Sequence, residues 1–359
     1  MTHSDIIANR LYNQHIAAPV FDSPAEVVQW LGAVQAQDYA AAKWAVGLRS
    51  KDGSEAALEL AFADGAILRT HVMRPTWHFV TPADIRWMLE LTSKRVNAAM
   101  SYNFRRLGLD ASVFKRSGPA LVKALRDGKQ LTRLELVSIL KQRGIKTDNL
   151  GYLHILLRAE LDRLICSGAR RGKQFTYALF DERAPNAKKM KRDEALAELT
   201  RRYFRSHGPA TSQDFAWWSG LTLADAKLGL EMLKSEIISE VVDGVTYWTA
   251  VSTPPLKELP RTAYLLPNFD EYMVGYSDRS ALIDPLHAKK LVDWGVYLLN
   301  PSIVINGKIV GTWKRTITKK TVVIEPRLLT QLNKTDTRAL VAAAGRYAGF
   351  HDLSLEMSL

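Results

Sequence analysis

At 359 residues the chain has room for two or three domains, and 47% hydrophobic with 24% charged residues is the ordinary balance of a globular protein. Its 49 Lys and Arg against 37 Asp and Glu leave a net charge of +12 and a sequence pI of about 9.6, a surplus that suits a polyanionic partner because each cation near a phosphate displaces a condensed counterion. The one cysteine, Cys166, excludes an intrachain disulfide and a zinc site caged by thiolates, and no run approaches the ~18 apolar residues that span a bilayer.

Met1 to Arg10 carries no apolar core of the signal-peptide kind, so a cytoplasmic, nucleoid-associated location is expected. Beyond it, three segments share one plan. Each opens with a hydroxyl residue followed three places later by an acid: Ser23-Pro24-Ala25-Glu26, Thr132-Arg133-Leu134-Glu135 and Thr211-Ser212-Gln213-Asp214. The hydroxyl accepts from a free backbone N–H of the first helical turn, and the acid reaches back to the cap. Each signal leads into an apolar helical stretch, then a second helical pattern, then a hairpin.

The hairpins are expected over Ile67 to Val80, around Met73-Arg74-Pro75; over Ile165 to Phe180, turning through Gly168 to Gly172; and over Ile237 to Ala250, turning at Asp243-Gly244. Three helices and a hairpin is the order of a winged helix. Asp181 to Arg192, with Pro185, Lys188, Lys189, Lys191 and Arg192, reads as a flexible basic connector. After Pro254-Pro255 the pattern becomes β-rich. Strands are expected over Tyr264 to Leu266, Val296 to Leu299, Ser302 to Ile305, Lys308 to Arg315 and Thr321 to Ile324, with a turn at Asn306-Gly307 and a closing helix from about Thr335 to Gly345. The expected fold is therefore α+β: winged-helix units over 1–100, 101–184 and 185–253, then a small β-rich, barrel-like domain over 254–359.

Two constellations carry chemistry. In Val34-Gln35-Ala36-Gln37-Asp38 two amides flank one small apolar residue. In a regular helix Gln35 and Gln37 point to different sides; in extended chain they share a face. The helix is expected to fray near Gln35, giving the second arrangement. In Arg69-Thr70-His71-Val72-Met73-Arg74-Pro75-Thr76-Trp77-His78-Phe79-Val80, Trp77 and Phe79 are expected to pack inward while His71, Arg74 and His78 face solvent. Two histidines without further ligands make no zinc site.

Those two strings, with Pro267-Asn268-Phe269-Asp270-Glu271-Tyr272-Met273-Val274-Gly275-Tyr276 and Val310-Gly311-Thr312-Trp313-Lys314-Arg315, make the chain resemble the winged-helix AlkZ-like DNA glycosylases. The resemblance spans most of the chain in order. It implies three tandem winged helices followed by a barrel-like domain, and an enzyme that removes alkylated or crosslinked bases from duplex DNA; a monofunctional reaction, a monomer and no cofactor or metal are expected beside it. It also makes Gln35 and Gln37 the catalytic pair, in the two-glutamine form of the signature; another branch has a carboxylate in the second place. Asp38 is offset by one position and takes a subordinate role.

The chemistry is consistent with that assignment. A glutamine offers an acceptor oxygen and two N–H donors, so a pair can aim one water at the anomeric carbon. A cationic alkylpurine is already a good leaving group, which leaves positioning as the main contribution. DNA contacts are expected at His71, Arg74 and His78 on the first wing, at Arg170 and Arg171 in the second hairpin turn, and at Lys314 and Arg315. Asp270 and Glu271 read as part of a buried turn that holds domains together rather than as an acid pair. The reading from a different class is a winged-helix regulator or a damaged-DNA binder without catalysis, since winged helices serve both.

Overall fold

The structure, a computed structural model, describes residues 1–251, 262–295 and 299–357. It is a mixed α+β chain with two compact units, one of residues 1–58, 197–218 and 222–359, the other of residues 59–196 and 219–221.

In the first unit the helix Pro24–Leu31 starts where the signal placed it. The Ser23 hydroxyl accepts from the Glu26 N–H, and the Glu26 carboxylate accepts from the Ser23 N–H at 3.0 Å. The same reciprocal pair joins Thr211 and Asp214 ahead of the helix Ser212–Ser219. Two further capping boxes, Thr2 with Asp5 and Thr222 with Asp225, start the helices His3–Asn13 and Leu223–Met232. The hairpin Ile237–Val242 and Val245–Ala250 turns at Asp243 and Gly244, with φ of 48° and 77°; two successive positive φ values define the turn whose twist matches paired strands.

The β-rich end is one five-stranded sheet in the order Ser354–Met357, Thr321–Leu328, Lys308–Ile317, Ser302–Ile305, Ala263–Leu266. All pairs are antiparallel except the first, which is parallel. Among the described residues the outer strands of this sheet are Ser354–Met357 and Ala263–Leu266. The expected strand over Val296 to Leu299 lies, but for its last residue, outside the described residues. The helix Lys334–Phe350 covers the sheet, with the Tyr347 ring 5.0 Å from Trp313 and 5.1 Å from Trp44. The indole N–H of Trp44 donates to the Leu265 carbonyl at 2.6 Å and that of Trp313 to the Leu266 carbonyl at 2.8 Å. The helix Tyr39–Gly47, which holds Trp44, is thereby tied to the strand Ala263–Leu266.

The second unit holds the hairpin Leu68–His71 and Trp77–Val80, the long helix Ile85–Arg106, and the helices Ala111–Leu125, Arg133–Gln142 and Asn149–Leu161. A three-stranded sheet orders Leu131–Thr132, Thr176–Leu179 and Ile165–Ser167 side by side. The expected flexible connector is partly folded. Phe180–Arg183 is a helical turn with Phe180 buried, the Arg183 guanidinium donates to the Phe62 and Ala63 carbonyls at 3.0 and 2.6 Å, and the Lys188 N–H donates to the Ala83 carbonyl at 2.9 Å. A buried aromatic and a guanidinium that caps two carbonyls outweigh the solubility of the lysines around them.

Candidate active site

Gln35 and Gln37 lie between two helices, Gln35 in a two-residue strand and Gln37 in the bend that follows it, so the two amides do not share one face of an extended chain as expected. The helix Pro24–Leu31 stops because Gly32 takes φ of 82°, a conformation that costs a residue with a Cβ. The helix Tyr39–Gly47 starts because the Asp38 carboxylate accepts from the Ala41 N–H at 3.0 Å. Between them Val34–Gln35 is strand, and Ala33, Val34 and Ala36 are fully buried. Gln35 is 8% exposed, and Gln37 reaches solvent. The segment thus carries one amide inside the protein and one at its surface.

Both ends of the segment are held from the Pro267–Tyr276 string. The Gln35 N–H donates to Glu271 Oε1 at 2.9 Å, and the Asn268 amide donates to Asp38 Oδ2 at 3.1 Å. Glu271 is itself fully buried. Its Oε2 accepts from the Trp218 indole N–H at 2.9 Å and lies 3.4 Å from His207 Nε2. His207 stacks on Tyr203 with ring centroids 4.8 Å apart and 10° between planes, and its Nδ1 meets the Ser206 hydroxyl at 2.8 Å. Burial pushes the His207 pKa below its ordinary value, against the opposing pull of Glu271. Gly275 leaves room for this arrangement, since a Cβ there would stand 2.7 Å from His207 Cδ2.

Behind Glu271 lies a second buried charge. Asp270 takes both terminal nitrogens of Arg49, at 2.8 and 2.9 Å, with neither side chain exposed. Arg49 also donates to Gln14, whose amide donates to the Tyr276 hydroxyl, which donates to the His207 carbonyl at 2.7 Å. This network fixes the short helix Glu271–Val274 and so the carboxylate that holds Gln35.

An open groove of about 660 Å³ runs beside Asp38, walled by Asn268, Phe269, Asn300, Thr312 and Trp313. Lys314 and Arg315 line the same groove, so the two basic residues expected at DNA stand with the residue that follows Gln37.

The residues of the hairpin 68–80 are placed differently from expectation. His71 is 6% exposed; its Nδ1 is 2.6 Å from Glu160 Oε2, and the same oxygen accepts the His71 N–H at 2.9 Å. His78 is fully buried, with Nδ1 2.9 Å from the Thr76 carbonyl and Nε2 3.5 Å from an Arg74 nitrogen. Neither imidazole faces solvent, because this short hairpin is covered on both faces and the buried Glu160 requires a partner. Trp77, expected inside, is half-buried, with the His71 ring 4.4 Å away and the Arg69 guanidinium 4.3 Å away. Arg74, expected at the surface, is half-buried. Arg170 pairs with Glu59 at 2.8 Å and Arg171 with Glu135 at 2.9 Å.

Glu271, His207, Trp218 and Asn268 escaped the sequence as site residues. The Pro267–Tyr276 string drew notice, but nothing in its spacing shows which side chain reaches a glutamine 236 positions away. Among the described residues no group of three His, Cys, Asp or Glu side chains could hold a metal ion, and no helix is long and apolar enough to cross a membrane.

The family described as DNA glycosylase AlkZ-like matches residues 28–350. The chain is 26% identical over 326 residues to an interstrand DNA cross-link repair glycosylase of Streptomyces sahachiroi, covering 86% of each chain. The solved structure of the Streptomyces sahachiroi DNA glycosylase AlkZ superposes with a TM-score of 0.80 at 22% identity over the whole of both chains, a likeness of fold.

Proposed function

The chain belongs to the DNA glycosylase AlkZ-like family, as the match over residues 28–350 shows, and for this DNA glycosylase we propose that Gln35 and Gln37 aim a water at the anomeric carbon of a cationic N7-alkylpurine nucleotide in duplex DNA. The carrying observation is the segment 35–38 between two helices, held at the Gln35 N–H by Glu271 and at the Asp38 carboxylate by Asn268. Holding the segment at both ends limits where the amides can point, which is what a mechanism based on positioning requires.

The chemistry balances without an acid or a metal. The bond from C1′ to the purine nitrogen breaks with its electron pair passing to the base, which leaves neutral because it was cationic. The water oxygen bonds to C1′, its proton passes to solvent, and the amide oxygens of the pair stabilise the cationic sugar as it forms. No lysine attack is invoked, so the product is an abasic site in an uncut strand. The name of the Streptomyces sahachiroi relative extends the proposed substrate class to purines crosslinked between strands.

The order of elements supports three winged-helix repeats over 1–100, 101–184 and 185–253. In the second, a short strand at Leu131–Thr132 sits between the first two helices and pairs with the wing strand Thr176–Leu179. In the third, Ala210 holds the same place and bridges Trp248 of the hairpin. In the first, Val34–Gln35 lies between the second and third helices, Pro24–Leu31 and Tyr39–Gly47. Gln35 thus sits on one repeat's version of a short strand between two helices. Lys314 and Arg315 hold the DNA backbone along the groove, and Arg74 adds a contact from the first wing. The buried His71 and His78 brace that wing, and Arg170 and Arg171 are engaged with Glu59 and Glu135.

The test is single-turnover excision on duplexes bearing N7-methylguanine, with heat or alkali to reveal abasic sites. Gln35→Ala and Gln37→Ala each lower the rate about 10²-fold with DNA affinity unchanged, and the double variant loses far less than the product because both amides act on one water. Wild-type rates in both single variants would remove the assignment.

A further inference from the structure

In the second unit a pocket of about 290 Å³ opens where the strand Leu131–Thr132 of the second repeat meets the helix Arg133–Gln142. Its walls come from the start of the helix Arg133–Gln142, from the hairpin residues Lys173 to Phe175, and from Arg69 and Trp77. Three cations line it and no carboxylate does. Glu135, the acid nearest along the chain, is committed to the Thr132 cap and to Arg171.

Arg69 is the built part of this pocket. It is 8% exposed, and its guanidinium lies 4.3 Å from the Trp77 ring centroid and 4.5 Å from that of Phe175. Two aromatic rings hold the planar group in place, which lowers the entropy lost when it grips an anion. Arg133 and Lys173 are exposed at the mouth. Between these charges Leu134, 65% exposed, offers an apolar surface beside Leu153.

We propose that this pocket binds one nucleotide of a DNA strand: its backbone phosphate on Arg133, Lys173 and Arg69, its sugar and base edge against Leu134 and Phe175. Resting on the reading of the chain as a DNA glycosylase, the proposal assigns a contact that neither the glutamines nor the groove at Lys314 and Arg315 supplies. Helix starts and wing residues are the parts of a winged helix that meet phosphates, and here both converge on one cavity with a cationic floor. The volume, at the small end for ligand sites, suits a single nucleotide and not a stacked run.

The experiment is fluorescence anisotropy of the 359-residue chain with a fluorescein-labelled duplex across a salt series, for the wild type and for Arg133→Gln with Lys173→Gln. Each phosphate contact contributes about −0.9 to the slope of log K against log salt. The double variant is expected to bind with a slope shallower by about 1.8, whatever the DNA sequence. Both side chains are exposed, and an unchanged melting curve confirms folding. An unchanged slope overturns the proposal while leaving the glycosylase reading intact. A wild type that excises nothing while the variant still loses two counterions leaves the pocket and removes the glycosylase. Inorganic phosphate in place of DNA distinguishes the remaining source: weaker phosphate binding by the variant with an unchanged DNA slope makes this a free-anion site and also overturns the proposal.

Discussion

Replacing Glu271 with glutamine tests whether a residue remote in sequence sets the geometry of Gln35. The wild-type carboxylate meets three nitrogens: the Gln35 N–H on Oε1, and the Trp218 indole N–H with His207 Nε2 on Oε2. An amide has one acceptor oxygen. Turned toward Trp218 and His207, it sets an NH₂ against the Gln35 N–H; turned toward Gln35, it sets that NH₂ against the indole. Either way one charge-assisted hydrogen bond is lost in a fully buried place, at about 1.5–3 kcal/mol, and a donor faces a donor. A loss of that size lowers the melting temperature by about 2–4 °C in a chain of this length. The strand moves to separate the donors, and a displacement near 1 Å costs on the order of 10²-fold in rate. Single-turnover excision well below the melting temperature is expected to fall by ~10-fold or more while duplex affinity holds. A variant that melts and excises like the wild type would refute the idea that Glu271 positions Gln35. One that melts lower yet excises normally would leave Glu271 as a structural anchor only.

Three further outcomes follow from the same site. Arg49→Ala strands the Asp270 carboxylate with no exposure to water, and is expected to cost about 3–5 kcal/mol in a denaturant titration. His207 is held below its ordinary pKa of 6.5 by burial, so folding favours the neutral ring, and the stability this confers is full above pH 6.5 and lost as pH falls below it. His15 shifts the same way, so the relevant measurement is the difference between wild type and His207→Gln in melting temperature against pH, which is expected to change below pH 6.5 and to be flat above it. Gln37→Glu puts a carboxylate at an exposed position, where it stays ionised and is expected to keep part of the excision rate, whereas Gln37→Ala does not.

What the sequence made legible was whatever is settled within a few residues. The pairs Ser23 with Glu26 and Thr132 with Glu135 cap helices because the hydroxyl and the acid serve the same turn. Asp243-Gly244 and Asn306-Gly307 turn because both residues of each pair take positive φ. The extended Gln35 is of this kind too, since Gly32 ends its helix next door. The partners of that segment were not legible. Glu271 and Asn268 belong to a distant string, and which carboxylate of Asp270 and Glu271 faces Arg49 and which faces Gln35 is decided by packing alone. His71 was read as a surface group because it sits in a polar run, yet Glu160, on a helix 89 positions later, draws it inside. The closing strand Ser354–Met357 escaped notice because its pairing is parallel, with a partner supplied across the helix Lys334–Phe350.

The bond from Gln35 to Glu271 has a consequence for how the protein is made. Gln35 leaves the ribosome early, but the carboxylate that holds it is 236 residues further on. At ordinary elongation speeds of ~5–20 residues per second, some 10–50 s separate the two. Throughout that interval the Val34–Gln35 strand exists without its anchor, and a message broken before the codon for Glu271 yields a chain that holds both glutamines yet lacks the carboxylate that meets the Gln35 N–H. With Gln35 positioned as proposed, chains that end before Glu271 are expected to fail at excision.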